Sequence, residues 1–497
     1  MFYLSKIFGN KIKDIEKAYP LGFSLDYVEG TPVKTVGGLV PKALVRQKDL
    51  CTYAIGYGFK PISPAELRQA EIAKAAIIDE LAAGSDPIST QLFEKAQKIA
   101  MTALSQMDPH RAQLIAYLLA HDTVGYGPIS ILLEDRTNLE EIEINAPTNP
   151  IAVHTVEYGM CQTNLRFTSA EWFRHFINKI ANEAEKELSE DSPIVDAEVE
   201  NVRLHAQTRP YAQSGGMASI RISGGKAASI SFLLNSNTAS EEVLAYVWLA
   251  IDSGVNLVVA GAPASGKTTL LGALIGFIPR FKRLVTIEED IKEIIFENNF
   301  NNTVALYGSK YGGVSVKEQV INSLRMRPDR LIVGEIRGEE TREMFAGANL
   351  GIPFMTTMHS NQGAPEIIKR LLAKPMDVDP RTISMLDLAL YMKQVDVAHR
   401  QLESAYEYRW LSRAETLEGI DINAENSVRI EELIKGGLLN KEALPHSKVV
   451  EAYAIKKGIS KKQAVRELEK RAKLLKELSA KSASEALEEI QEYEEAL

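Results

Sequence analysis

The sequence predicts an α/β fold whose second half is a parallel sheet flanked by helices, and three observations carry that reading. Four short apolar runs, at residues 257–260, 284–287, 331–333 and 354–357, alternate with helical segments, the pattern of a parallel sheet with helices on its faces. A glycine-rich loop, Gly261-Ala262-Pro263-Ala264-Ser265-Gly266-Lys267-Thr268, fits GxxxxGK[ST] and lies between the first run and a helical stretch that opens with Thr269-Leu270-Leu271. Such a loop needs strand, glycine turn and helix in that order. The segment before it mixes short strands with helices and reads as a separate small α+β domain.

Glycines let backbone approach a phosphate with no Cβ in the way, and the loop N–H groups and helix N-terminus then face the anion. Lys267 would reach the β/γ-phosphates, and the Thr268 hydroxyl would help to hold Mg²⁺. The loop from Gly261 to Thr269 is therefore the expected ATP-binding element. A plain glycine-rich turn would leave Lys267-Thr268 unexplained.

The remaining elements follow in chain order. Residues 20–60 are rich in Gly, Pro, Tyr and Val and suggest short strands. The first 20 residues set Phe2, Leu4, Ile7 and Phe8 among lysines, readable as a weak amphipathic element or as an edge helix or loose terminus. Ser63-Pro64-Ala65-Glu66 is a capping box with proline at the first helical position, and the apolar face of that helix reads as Ile72, Ala75, Ala76 and Leu81. Asp108-Pro109 starts a second helix, which Gly125-Tyr126-Gly127-Pro128 stops. Ile142 and Ile144 alternate with Glu141 and Glu143 as in a strand. Ser169 sits in a further cap, and residues 202–223 read as a hairpin turning at Gly215-Gly216. Gly224-Gly225-Lys226-Ala227 reads as a flexible joint. Beyond Trp410 the chain is more polar. Residues 415–430 look loop-like, Val465, Leu468, Ala472, Leu475 and Leu478 form one buried stripe, and the acidic end from Glu485 reads as frayed. The resulting division is 1–110, an accessory region partly helical; 111–225, the small α+β domain; 226–412, the phosphate-loop domain; and 413–497, a charged helical extension.

Composition bounds the function. With 45% apolar and 25% charged residues the chain is ordinary for a globular protein. A formal charge of −9, from 57 basic and 66 acidic residues, argues against a large nucleic-acid footprint. Its 2 cysteines, Cys51 and Cys161, make no CxxC pair, so neither a zinc module nor a disulfide framework is readable, and the chain fits a reducing compartment. No signal peptide and no run of about 18 apolar residues is visible.

In parallel sheets the ligand sits at the carboxyl ends of the strands, and the candidate chemistry falls there. Glu288 immediately follows its apolar run and is the candidate for orienting or deprotonating water beside a γ-phosphate; a surface acidic turn is the alternative. Glu335 ends Leu331-Ile332-Val333-Gly334, a Walker-B pattern, and would hold Mg²⁺ through water or polarise the nucleophile. His359 tips the run at 354–357 as a γ-phosphate sensor or a structural histidine. Arg203, Arg209 and Arg221 in the small domain, and Arg325, Arg327 and Arg337 beside the Walker-B run, are cations of the kind that stabilise phosphoryl transfer, with a plain surface arginine as the alternative for any one alone.

Read together, these stretches resemble the secretion and pilus-assembly ATPases of the type II/type IV superfamily, and the tail around Glu469-Lys470-Arg471 resembles its archaeal-type branch. The most specific stretch is Leu324 to Gly338, LRMRPDRLIVGEIRG. The box at Thr286 to Glu289, the TTMH box ending at His359, residues 122–128, Pro193-Ile194-Val195-Asp196 and residues 203–221 add to it. The resemblance implies a RecA-like P-loop ATPase domain preceded by a sensor-like domain, with the active site in the cleft between them. It also implies a homo-hexamer docked on a polytopic membrane platform protein at the cytoplasmic membrane face, serving a pilin- or archaellin-like filament or protein secretion, with no nucleic acid expected. By position, Arg203 and Arg221 match the family's small-domain arginines that reach the phosphates, and Lys267, Thr268, Glu288, Glu335 and His359 match its catalytic set. The chain departs from the family at Gly351-Ile352, where Gly-His is usual, at Glu288-Glu289, where Glu-Asp is usual, and before Arg203, where a glycine is usual. A conjugation-type or nucleic-acid-translocating ATPase and a weakly hydrolysing ring scaffold stay open as alternatives.

Overall fold

The computed structural model describes residues 23–25, 32–36, 42–47, 50–55, 63–82, 90–136, 138–199, 202–222, 229–289, 294, 302–309, 313–361, 363–395, 399–410 and 428–497. The amphipathic start, the joint at 224–227 and the loop at 415–427 lie outside them. The chain packs as two compact units, Met1–Gly225 and Lys226–Leu497.

In the first unit the strands are β1 (Phe23–Leu25), β2 (Pro32–Val36), β3 (Lys42–Gln47), β4 (Leu50–Ile55), β5 (Leu139–Ile144), β6 (Ala152–Thr155), β7 (Gly159–Thr163), β8 (Leu165–Phe167), β9 (Ile194–Val199), β10 (Val202–Gln207) and β11 (Met217–Ile222). Nine of them join in the order β2-β3-β4-β7-β6-β5-β11-β10-β9, and β1 pairs with β8. The early strands thus extend the sheet of the α+β region. The cap at Ser63 forms in both directions: Ser63 N donates to Glu66 Oε2 at 2.6 Å and Glu66 N to Ser63 Oγ at 3.3 Å. The buried face of the helix Pro64–Ala82 is Ala70, Ala73, Ile77 and Leu81, whereas Ile72 and Ala75 are exposed. This corrects the face read from sequence; alanines supply two equally spaced stripes, and packing chooses the one that carries Ile77. Asp108 and Ser169 cap the helices Pro109–Thr123 and Ala170–Glu183 as expected.

Cys51 and Cys161 form a disulfide with Cα atoms 4.7 Å apart, which corrects the expectation of no disulfide. The cause is the parallel pairing of β4 with β7, which sets Thr52 opposite Gln162 and so brings the preceding residues side by side across 110 positions of sequence. Nothing local to either cysteine could announce it.

In the second unit the strands are β12 (Leu257–Gly261), β13 (Leu284–Glu289), β14 (Thr303–Gly308), β15 (Arg330–Glu335), β16 (Phe354–His359), β17 (Leu388–Gln394), β18 (Arg400–Trp410), β19 (Val428–Lys435) and β20 (Leu438–Leu439). Their order is β14-β13-β15-β16-β12-β17-β18-β19-β20, parallel from β14 to β17 and antiparallel beyond. All four apolar runs are strands of the parallel part. Their residues alternate between two cores: Leu257, Val259 and Ile332 face one, and Val258, Ala260 and Val333 the other. A sheet buried on both faces has to read as continuous apolar runs, which is why these were conspicuous.

The acidic terminus is a helix, Ala483–Glu495, with Ala486, Leu487, Ile490, Gln491 and Glu494 buried. This corrects the frayed end: the acidic residues have specific partners, Glu488 and Glu495 on Arg280 and Glu494 on Trp248 Nε1 at 2.6 Å. Arg471, wholly buried on the helix Lys461–Leu478, lies 2.8 Å from Asp252, 3.3 Å from Glu494 and 3.5 Å from Glu467, under the rings of Trp248 and Tyr453. Burial opposes the Asp252 charge, yet Arg471, Lys456 and Lys457 hold its carboxyl below the usual range. Burial raises that of Glu494, against the pull of Arg471. Arg471→Ala removes the one cation that all three carboxylates share, leaving Asp252 to Lys456 and Lys457 and Glu467 to Lys470, and should cost about 3–5 kcal/mol in urea unfolding; a loss below about 1 kcal/mol would show that the cluster does not hold the C-terminal helices.

Candidate functional site

The loop after β12 is shaped by contacts only glycine permits. A Cβ at Gly261 would sit 2.5 Å from the Met392 carbonyl oxygen and 2.6 Å from Ser265 Oγ. Gly266 precedes the helix Lys267–Leu274 with φ +87°, a left-handed conformation that costs other residues energy. The next residue, Lys267, is buried, and its ammonium donates to the Ala262 carbonyl at 2.8 Å and lies 3.2 Å from His359 Nδ1. His359 Nε2 in turn lies 3.0 Å from Glu335 Oε1. An ammonium has no lone pair to offer, so Nδ1 accepts and the ring proton belongs on Nε2, toward the carboxylate.

Register explains the convergence. β12 pairs with β16 so that Gly261 stands opposite His359, and Ser360 N donates to Gly261 O at 3.1 Å. β15 pairs with β16 up to Glu335 opposite Thr357, with a bulge at Gly334 whose carbonyl accepts from Thr357 Oγ1 at 2.7 Å. A Cβ on Gly334 would lie 3.3 Å from Glu288 Cγ, so its glycine lets the Glu288 side chain lie against β15. Glu288 is buried and accepts from the Ile294 backbone N–H at 2.7 Å. Its neighbour Glu289 is ion-paired with Arg337, whose backbone N–H is bonded by Glu340 at 2.7 Å. The two adjacent acids therefore have different work: Glu289 ties down the segment after β15, and Glu288 stays with the strand ends.

Thr268 is half-buried and Thr269 exposed in the first turn of the helix. Among the described residues no cluster of His, Cys, Asp and Glu forms a protein-only metal cage. One hydroxyl and one carboxylate, Thr268 and Glu335, are the hard-oxygen donors typical for Mg²⁺ shared with phosphate oxygens.

In the other unit, β10 and β11 set Arg203 directly opposite Arg221, both exposed. Glu198 stands across from Arg203 on β9, and Glu141 across from Arg221 on β5. Like charges directly opposite cost stability, and the acid opposite each arginine on its outer side offsets that cost, so the sheet keeps two exposed arginines side by side. The structure thus joins Lys267, His359, Glu335 and Glu288 in one unit and Arg203 with Arg221 in the other. Sequence reading missed Arg400, at the start of β18, whose Nε donates to Ala264 O at 3.4 Å. It lies 133 residues beyond Lys267 with no motif around it, and only the β17–β18 hairpin brings it to the loop.

A parallel sheet with a phosphate loop at its carboxyl edge, a lysine and a Walker-B carboxylate defines the P-loop class of nucleotide-binding proteins. Within it, residues 139–493 match the family model for Type II/IV secretion system proteins, and the chain belongs to that family. An uncharacterized protein of Methanocaldococcus jannaschii is 30% identical over 275 residues, covering 53% of this chain and 97% of that one. A second from the same organism is 27% identical over 318 residues, 63% of this chain and 56% of that one. A putative conjugal transfer protein of Mycobacterium tuberculosis is 29% identical over 202 residues, 39% of this chain and 57% of that one. The chain thus spans nearly all of the first relative and little more than half the length of the other two. Among solved structures, the Legionella pneumophila ATPase DotB aligns at 18% identity and a TM-score of 0.43, over 73% of this chain and 94% of that one. The VirB11 ATPase of Brucella suis aligns at 20% and 0.27, over 54% and 88%.

Gly334→Val should push Glu288 off its backbone donor. Loss of a bond to a charged group predicts amide exchange at Ile294 about tenfold faster or more; unchanged exchange would show that Gly334 does not govern Glu288.

Proposed function

We propose that the protein is an ATP-hydrolysing motor of the type II/IV secretion family. The observation that carries this reading is the continuous chain from the Ala262 carbonyl through Lys267 and His359 to Glu335, spanning the ends of β12, β16 and β15. The loop from Gly261 to Thr269 binds the phosphates of ATP. Thr268 and Glu335 hold Mg²⁺, partly through water, and the metal supplies neutralisation of phosphate charge. Lys267 moves from its carbonyl and imidazole partners to the β/γ-phosphate oxygens. His359 keeps its Nε2 N–H as a hydrogen-bond donor, to the γ-phosphate or to Glu335, and Glu288 orients the attacking water. Arg203 and Arg221, which the β-sheet already holds side by side, supply positive charge to the transferring phosphoryl group when the small domain closes.

Closure of one unit on the other, in a homo-hexamer, turns hydrolysis into movement. The movement acts on a polytopic membrane platform protein at the cytoplasmic membrane face, to build a type IV pilus-like filament or archaellum or to drive protein secretion. Among the described residues no helix is long and apolar enough to cross a membrane. The similarity to a putative conjugal transfer protein supports a second reading, a conjugation-type motor.

Phosphate release should fall at least about 100-fold in Lys267→Ala and Glu335→Gln; equal rates in wild type and both variants would overturn the enzyme reading in favour of a ring scaffold. Turnover stimulated by single-stranded DNA and not by lipid vesicles would favour the conjugation-type motor.

Arg203→Ala and Arg221→Ala should retain ATP binding and lose about 10³-fold in turnover, the scale of an arginine finger. Full activity in both would remove the arginines from the mechanism.

A further inference from the structure

The face of the phosphate loop away from His359 is covered by residues that no motif predicts. β12 lies between β16, which carries His359, and β17. Met392 on β17 stands opposite Gly261. From there the chain turns back as a hairpin, and β18 opens with Arg400. The Arg400 stem lies over Gly266: its Cγ and Cβ are 3.5 and 3.6 Å from where a Cβ on that glycine would be, beside Met392 Cε at 3.5 Å. Its Nε reaches Ala264 O at 3.4 Å, and Ala264 holds φ +57°, the left-handed region an alanine avoids. A half-buried arginine is thus laid along the outer side of the loop by its methylenes, with its planar head at the loop's rim.

The side on which it lies decides what it can touch. Lys267, His359 and Glu335 mark the γ-phosphate end, and all lie toward β16 and β15. A nucleotide with its γ-phosphate there must run its nucleoside end toward β17. We infer that Arg400 is a nucleotide-contacting residue that packs its guanidinium against the base, the part ATP and ADP share. Guanidinium suits this work: it is flat, always charged and weakly hydrated, and it stacks on aromatic faces. The inference rests on the nucleotide reading above and adds to it the element that grips the nucleoside.

The test compares binding of ATP, ADP and inorganic tripolyphosphate to the full chain and to Arg400→Met, which keeps the stem over Gly266 and removes the guanidinium. Affinity for ATP and ADP should drop equally, about tenfold, while that for tripolyphosphate stays within about twofold. Arg400→Lys, which keeps the charge but not the plane, should fall nearly as far as the methionine variant. A parallel loss for tripolyphosphate would mean that Arg400 only shapes the loop. A loss confined to ATP would place it at the γ-phosphate, and unchanged binding of all three would remove it from the site; each of these overturns the inference. Failure of the wild type to bind any nucleotide would instead sink the nucleotide reading itself. Thermal unfolding of both variants, unchanged from wild type, verifies that the comparison is between folded proteins.

Discussion

The register between β12 and β16 is the constraint from which the second unit's chemistry follows. Parallel strands deliver their carboxyl ends to one edge, and this pairing sets Gly261 level with His359. A slip of one residue would turn the His359 side chain to the opposite face and break the contact with Lys267. Two features pin the register. Both faces of the sheet are buried, so a slip exchanges two cores at once. Asn256, just before β12, also accepts from Phe354 N at the start of β16 at 3.0 Å and donates to Met385 O at 2.8 Å. The site inherits its geometry from an asparagine at the far end of the strands.

A second dependence links the C-terminal helices to the same sheet. Arg330, at the first position of β15, donates to the carbonyls of Val255 and Ile251 and so closes the end of the helix Glu241–Ser253. Burial pushes its pKa down to about 10, against the pull of Asp252 and Asp387. One residue away, Asp252 receives Arg471 from the helix Lys461–Leu478. β15 therefore starts at the helix end that anchors the C-terminal helices and finishes at Glu335.

What could be read from sequence was what local physics encodes. The four parallel strands announced themselves because a sheet buried on both sides has no polar face to interrupt it. Caps at Asp108 and Ser169 were legible because an orphan N–H group needs an acceptor within three residues. The phosphate loop was legible because glycine and lysine are needed at fixed positions. The failures share a different cause. The Cys51–Cys161 bond, the exposure of Ile72, the order of the acidic end and the approach of Arg400 to Ala264 all depend on partners far away in sequence. Charge-rich helices are the hardest case: Glu488, Glu494 and Glu495 look like solvent-facing acids until Arg280 and Trp248 are placed beside them.

The lysine of the phosphate loop has one more consequence. Its ammonium already has a carbonyl and an imidazole as partners. An ammonium has three N–H donors, so an anion that takes more than one of them displaces a partner, and binding there is in part an exchange of partners. Exchange favours ligands dense in charge, since a neutral molecule or a weak monoanion offers the lysine less than it gives up. Competition of this kind weighs on a weak monoanion more than on a polyphosphate, through the contacts that keep the lysine in place.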